Sequence, residues 1–279
     1  MMTAAALSQS QPIGALLRHW REQRRLSQMA LALDANISTR HLSFLETGKA
    51  QPSREMVLRL AEHLRVPLRE QNALLLAAGF APQYPLRPFA DDSLRSAREM
   101  VQRVLDGHAP YPALAVDRYW NLQAANRALM PLLAGVDAAL LEPPVNVLRL
   151  SLLPHGLAPQ IVNLPVWRAH LLARLRHEAD LTADAHLWAL LAELSDAEPT
   201  PRRSARSVTV AASSPGQQLA VPLILETSLG RLRFISTTMV FGSAVDVTLS
   251  ELAIESFFPA DQETVSALNR LDELPGGTS

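Results

Sequence analysis

The chain has no cysteine, so disulfides, thiolate metal sites and a cysteine nucleophile are excluded, and a reducing, cytoplasmic setting is expected. It also lacks a membrane-spanning run. One long uncharged stretch, Leu150 to Trp167, holds three prolines together with His155, Gln160 and Asn163, which disqualifies it as a span and gives no membrane partner. Met1 to Gln11 has neither the basic flank nor the apolar core of a signal peptide and reads as a frayed arm. Catalytic signatures are missing too. There is no G-x-G-x-x-G, P-loop, G-x-S-x-G or H-E-x-x-H, and the histidines are scattered without metal-ligand spacing. His170 and His177 lie two helical turns apart, too far to share a small ion. The expectation is therefore no enzyme, no metal and no cofactor.

With 279 residues, 48% hydrophobic and 19% charged, the chain has ordinary globular composition and room for two cores. The net charge of -1 conceals an uneven distribution. Residues 1 to 80 carry ten Lys and Arg against six Asp and Glu, whereas the remainder carries 16 against 21. A basic front joined to an acidic back suits a polyanion reader attached to something else.

The first eighty residues follow a helical pattern with no strand signal. Ile13, Leu16, Leu17 and Trp20 form one apolar face. Ser27, Ser38 and Ser53 stand where caps should open the second, third and fourth helices, Pro67 opens a fifth, and Gly79 closes it. Prolines 82, 85 and 88 interrupt the pattern as a linker. The expected divisions are an all-helical domain at 1–81, a linker at 82–92, a second domain at 93–262, and a helix with tail at 263–279. Within the second domain, helices are expected over Leu94–Leu105, Gln123–Leu133 and Val166–Leu194, with a short apolar run at Ala113–Val116. Strands are expected at Ser207–Ala212, Leu219–Glu226 and Arg231–Val240, in an antiparallel meander.

Ser27-Gln28-Met29-Ala30-Leu31-Ala32 through Asn36-Ile37-Ser38-Thr39-Arg40-His41-Leu42-Ser43-Phe44-Leu45-Glu46-Thr47-Gly48 resembles the phage-repressor helix-turn-helix of the XRE family. Small Ala32 allows two helices to cross. Asn36 stands where the family usually has glycine, and asparagine is the next best residue for a left-handed turn. With Ile37, Leu42 and Leu45 facing the core, Thr39, Arg40 and Ser43 face outward, with Phe44 at the edge. A helix there fits the major groove, and Arg40 can bond bidentately to guanine. For Phe44 and His41, partial burial in the domain is an equal alternative. The resemblance implies that Gln28 meets a phosphate at a helix start and that Ser38 and Lys49 contact the backbone. It also implies an Arg21–Glu46 salt bridge, expected to be an exposed pair of about 0 to 1 kcal/mol that orients the third helix.

Further on, Tyr111-Pro112-Ala113-Leu114-Ala115-Val116 with Trp120 and Asn126, Asn146-Val147-Leu148-Arg149-Leu150, His155-Gly156-Leu157, Asn163-Leu164-Pro165-Val166-Trp167, and Phe241 through Leu249 with Glu255-Ser256-Phe257-Phe258-Pro259 look like the MmyB-like ligand-binding domain of transcription regulators. The resemblance implies an all-α, lambda-repressor-like five-helix domain followed by an α+β, PAS-like domain, in which helices cover an antiparallel sheet over an apolar cavity. It further implies a small-molecule sensor of the fatty-acid class. Trp120, Asn126, Arg149, Trp167, Arg168 and Phe234 are the candidate wall residues, each with plain core packing as its alternative, and an arginine there would pair with a carboxylate head. The expected whole is a DNA-binding repressor, acting as a homodimer on double-stranded operator DNA and responding to a small apolar ligand. A second domain that only dimerises, or one that catalyses, are the alternatives.

Overall fold

The computed structural model describes residues 11–182, 184–197, 221–242 and 244–273. They divide into two units: one holds the N-terminal segment to Pro88 together with Gly242–Ser250, and the other holds Phe89–Phe241 and the chain from Glu251 onward.

Among its described residues the first unit packs the helices α1 (Ile13–Gln23), α2 (Gln28–Asp34), α3 (Thr39–Glu46), α4 (Arg54–His63) and α5 (Leu68–Ala77). Their starts are locally encoded. The hydroxyls of Ser27, Ser38 and Ser53 accept hydrogen bonds from the amides of Ala30, His41 and Met56, satisfying N–H groups that a helix start leaves unpaired. Asn36 has φ +54°, the left-handed conformation its position requires. The core gathers Leu17, Leu31, Leu42, Leu45, Leu60 and Leu75, each fully buried leucine contributing about 1.5–3 kcal/mol. Gly14 is where α1 meets the end of α3, because a Cβ built there would stand 2.4 Å from the Leu45 carbonyl oxygen.

The proline-rich stretch after α5 is held in place. Asn72 donates to the Tyr84 carbonyl and accepts from the amides of Gln83 and Tyr84. Gly242–Ser250 groups with this unit. The Val247 amide donates to the Pro85 carbonyl, and the Thr248 hydroxyl bonds to the Arg87 carbonyl.

The second unit is an α+β domain on a five-stranded antiparallel sheet. Its strands are β1 (Ala113–Val116), β2 (Leu122–Ala125), β3 (Leu223–Thr227), β4 (Gly230–Val240) and β5 (Ala253–Pro259), in the order β2-β1-β5-β4-β3. Thus β3, β4 and β5 form a meander, and β5 pairs back to the β1–β2 hairpin, as in Leu114↔Glu255 and Thr238↔Glu255. Strand alternation sorts the side chains onto two faces. Ala113, Ala115, Leu252 and Ile254 pack with Val101 and Leu105 of the helix Arg95–Asp106, here α6. Leu114, Val116, Leu225, Leu232 and Phe234 join the larger core with helices α7 (Val147–Leu152), α8 (Leu164–Thr182) and α9 (Ala185–Asp196). The helix α11 (Gln262–Glu273) closes the described chain, and the short α10 (Val247–Ser250) lies in the 242–250 segment.

One expectation for this unit is corrected. The start of the Gln123–Leu133 segment is strand β2, followed by a 3-10 stretch from Arg127 to Leu133 rather than an α-helix. Pairing with β1 overrides the helical periodicity there, with Asp117 pinning the hairpin loop by accepting from the amides of Tyr119 and Asn121. The helices expected over Val166–Leu194 are α8 and α9, the second starting afresh because Asp184 caps it by accepting from the His186 amide. The expected strand Ser207–Ala212 lies outside the described residues.

Candidate DNA-reading face and ligand cavity

On the first unit, α2 and α3 make the helix-turn-helix. Thr39 and Arg40 are exposed on the first turn of α3, Ser43 and Phe44 are half-buried one turn on, and Ser38 and Lys49 are exposed at its two ends. The Arg40 guanidinium sits 5.3 Å from the centre of the Phe44 ring and the Lys49 ammonium 5.8 Å from it. The aromatic ring thus spaces two cations along one outward edge, positive charge that a phosphate-lined groove attracts.

Arg21 and Glu46 do pair, but not as an exposed bridge. The Arg21 Nε and Nη2 groups donate to the two Glu46 carboxylate oxygens at 2.6 and 2.9 Å, and Nη1 donates to the Leu26 carbonyl. The Glu46 side chain is 1% exposed and that of Arg21 10%. Hydrogen bonding to Glu46 raises the Arg21 pKa further above its ordinary value. Gln28 Nε2 also donates to Glu46, at 2.8 Å. A carboxylate partner fixes which way this amide points. Three helices are therefore tied to one buried carboxylate, and this is what sets α3 against α2.

In the second unit a cavity of about 90 Å³ lies between the sheet and the helices above it, several times the roughly 10–15 Å³ that one water requires. Trp120, Trp167 and Phe234 line it. Trp120 has φ +64°, a conformation rare for a bulky side chain and held here by the Asp117 turn and by the Val147 amide donating to the Trp120 carbonyl. Trp167 Nε1 donates to the Ser151 hydroxyl, which also borders the cavity.

Asn126, Arg149 and Arg168 are not in the wall. Asn126 is buried but spends its amide on the backbone, accepting from Ala113 and donating to Leu105 and Tyr111. Arg149 makes a bidentate pair with Glu193, which raises its pKa through that hydrogen bond. Arg168 donates to the carbonyls of Leu194, Ser195 and Ala197, capping the end of α9. Among the described residues, the arginine that lines the cavity is Arg174, with Glu255 beside it. Spacing offered a signal for this, since Arg174 lies seven residues after Trp167 on the same face of α8.

Arg174 Nη2 donates to Glu255 at 2.8 Å, and its guanidinium stacks 4.6 Å from the Trp120 ring centre. The Trp120 Nε1 donates to Glu178, whose pKa is raised by burial. Burial and the nearby Arg174 charge together lower the His170 pKa. Among the described residues no group of His, Asp and Glu is arranged to hold a metal ion.

Residues 97–271 match the MmyB-like transcription regulator ligand binding domain, and residues 12–74 match a helix-turn-helix domain. The chain belongs to the family of MmyB-like transcription regulators. It is a DNA-binding transcription regulator, and the buried Arg21–Glu46 tie and the cation-flanked α3 are features of its DNA-binding half. Among solved structures, the clp gene regulator ClgR from Corynebacterium glutamicum is 26% identical over 35% of this regulator and 90% of that chain, with a TM-score of 0.21. Among curated proteins none matches. Among the described residues no helix of the regulator is long and apolar enough to cross a membrane.

Proposed function

We propose that this regulator is a ligand-responsive repressor that acts in the cytoplasm, without catalysis. Two copies present their α3 helices to successive major grooves about 34 Å apart on a near-palindromic operator. A small apolar molecule with a fatty-acyl-like tail occupies the cavity of the second unit and shifts the affinity for DNA. The observation that carries this reading is an apolar cavity framed by Trp120, Trp167 and Phe234 inside a ligand-binding domain. A domain that only dimerises needs no such space.

A ligand alters DNA binding only by the difference in its affinity for two states, about 1.4 kcal/mol for each tenfold change. The chain offers two covalent routes for that coupling. One is the 82–92 segment. The other is the 242–250 segment, which leaves β4 and returns as β5 yet belongs to the DNA-binding unit. Since Phe234 on β4 and Phe257 on β5 both line the cavity, a ligand that moves either strand pulls on that segment directly.

Footprinting of the upstream region, with and without lipid extracted from the producing cells, tests the whole reading. The expected result is a two-fold-symmetric footprint whose half-maximal protein concentration changes at least about tenfold with extract. A footprint indifferent to extract, together with no co-purified apolar species by native mass spectrometry, refutes the sensing role.

A further inference from the structure

Phe44 stands one helical turn after Arg40 on α3, and the chain brings Lys49 back to the same ring. The return is set at the helix end. Gly48 takes the left-handed conformation, φ +72°, and the amides of Lys49 and Ala50 both donate to the Phe44 carbonyl, at 2.8 and 3.1 Å. The Thr47 hydroxyl donates to the Ser43 carbonyl at 2.7 Å and tightens the same turn. Phe44 therefore engages Lys49 twice, through its carbonyl and through its ring.

Several arginines of the DNA-binding unit direct their guanidinium at oxygen. Arg18 pairs with Glu22, Arg59 with Glu55 and Arg21 with Glu46, while Arg24 donates to the Leu64 and Arg65 carbonyls. Arg40 has its guanidinium over the Phe44 ring. The difference matters for recognition. A carboxylate partner would occupy the N–H groups that a guanine needs, whereas an aromatic face attracts the charge and leaves those donors free. Long cationic side chains on a bare helix surface also sample many rotamers, which a DNA contact must freeze. Holding both cations at the ring beforehand removes part of that ordering and fixes the distance between them.

We propose that Phe44 is a positioning residue for sequence reading: its ring holds Arg40 for a base edge and Lys49 for a neighbouring phosphate, so that the two contacts form in one register. This rests on the reading of α3 as the helix that enters the groove. The ring acts through the cations and not by touching a base. Its removal therefore alters sequence preference only while Arg40 is present, because Lys49 on a phosphate serves every sequence alike.

The test uses the full-length regulator and two duplexes, the footprinted upstream fragment and a shuffled fragment of the same composition, in gel-shift titrations at one salt concentration. Phe44→Leu keeps an apolar side chain without the aromatic quadrupole, and is expected to reduce the preference for the footprinted fragment about threefold to thirtyfold. In an Arg40→Ala background the same substitution is expected to change that preference by less than about twofold. Equal losses in both backgrounds show the ring itself touching bases and overturn the proposal, and so does a preference unmoved by Phe44→Leu. Should that variant fail to fold, mono-, di- and trifluorinated phenylalanine in place of Phe44 keep the shape while withdrawing negative charge from the ring face. The preference is then expected to fall stepwise with fluorination, and a flat series overturns the proposal. If the unaltered regulator binds both duplexes alike, the groove-reading role of α3 falls together with this inference.

Discussion

Replacing Glu46 by alanine should damage the DNA-binding unit far more than the loss of a surface ion pair would. The carboxylate is 1% exposed and receives two hydrogen bonds from Arg21 and one from Gln28. Without it, the buried Arg21 guanidinium keeps the Leu26 carbonyl and a Glu22 carboxylate 3.7 Å away. Breaking a buried pair from one side costs about 3–5 kcal/mol, because an uncompensated charge stays inside. For a domain of this size each kcal/mol lowers the melting temperature by about 4–8 °C, so the lower bound is a fall of about 12 °C. Circular dichroism of the full chain during heating measures it, alongside operator binding at low temperature. The companion variant, Arg21→Met with Glu46→Leu, removes both charges and should recover most of the loss. A Glu46→Ala cost below about 1 kcal/mol, the range of exposed pairs, would refute the reasoning. So would a double variant as unstable as the sum of its singles.

Arg40→Ala should weaken operator binding by about 1–3 kcal/mol and relax the sequence requirement at one base pair; equal losses on operator and random DNA in gel-shift competition would contradict base readout. Gly14→Ala should destabilise the helix-turn-helix by about 1–3 kcal/mol in chemical denaturation, since the added Cβ meets the Leu45 carbonyl at 2.4 Å. Glu178 has its pKa raised by burial, so its contribution is fully present below the ordinary carboxylate range and is lost as pH rises through the raised value. Glu178→Gln keeps an acceptor for Trp120 Nε1 and should therefore gain stability at neutral pH relative to acid pH; a pH-stability curve parallel to that of the unaltered protein would count against this.

The helix starts at Ser27, Ser38 and Ser53 and the left-handed turn at Asn36 were legible because each depends on residues within three or four positions. The same locality makes α3's outward edge readable, since Leu42 and Leu45 fix which way Arg40 points. The Arg21–Glu46 pairing was legible as a motif. Its burial was not, because burial depends on how α1, α2 and α3 close around it. For Gln123 to Ala125, β1 pairing prevails over the helical pattern, and no local signal records that a strand 113–116 waits to be paired. The choice among the arginines failed for a similar reason. Arg149 and Arg168 flank the right phrases in sequence, but Glu193 and the end of α9 engage them, while Arg174 meets a glutamate 81 residues away on β5.

Sequence alone therefore determined where helices begin, which face of α3 looks outward, and that two units of different charge are joined. Tertiary structure decided the lining and charge of the cavity, and assigned residues 242–250 to the DNA-binding unit. Caps and amphipathic faces are settled by near neighbours along the chain, whereas a cavity and its ion pairs exist only once distant segments have packed.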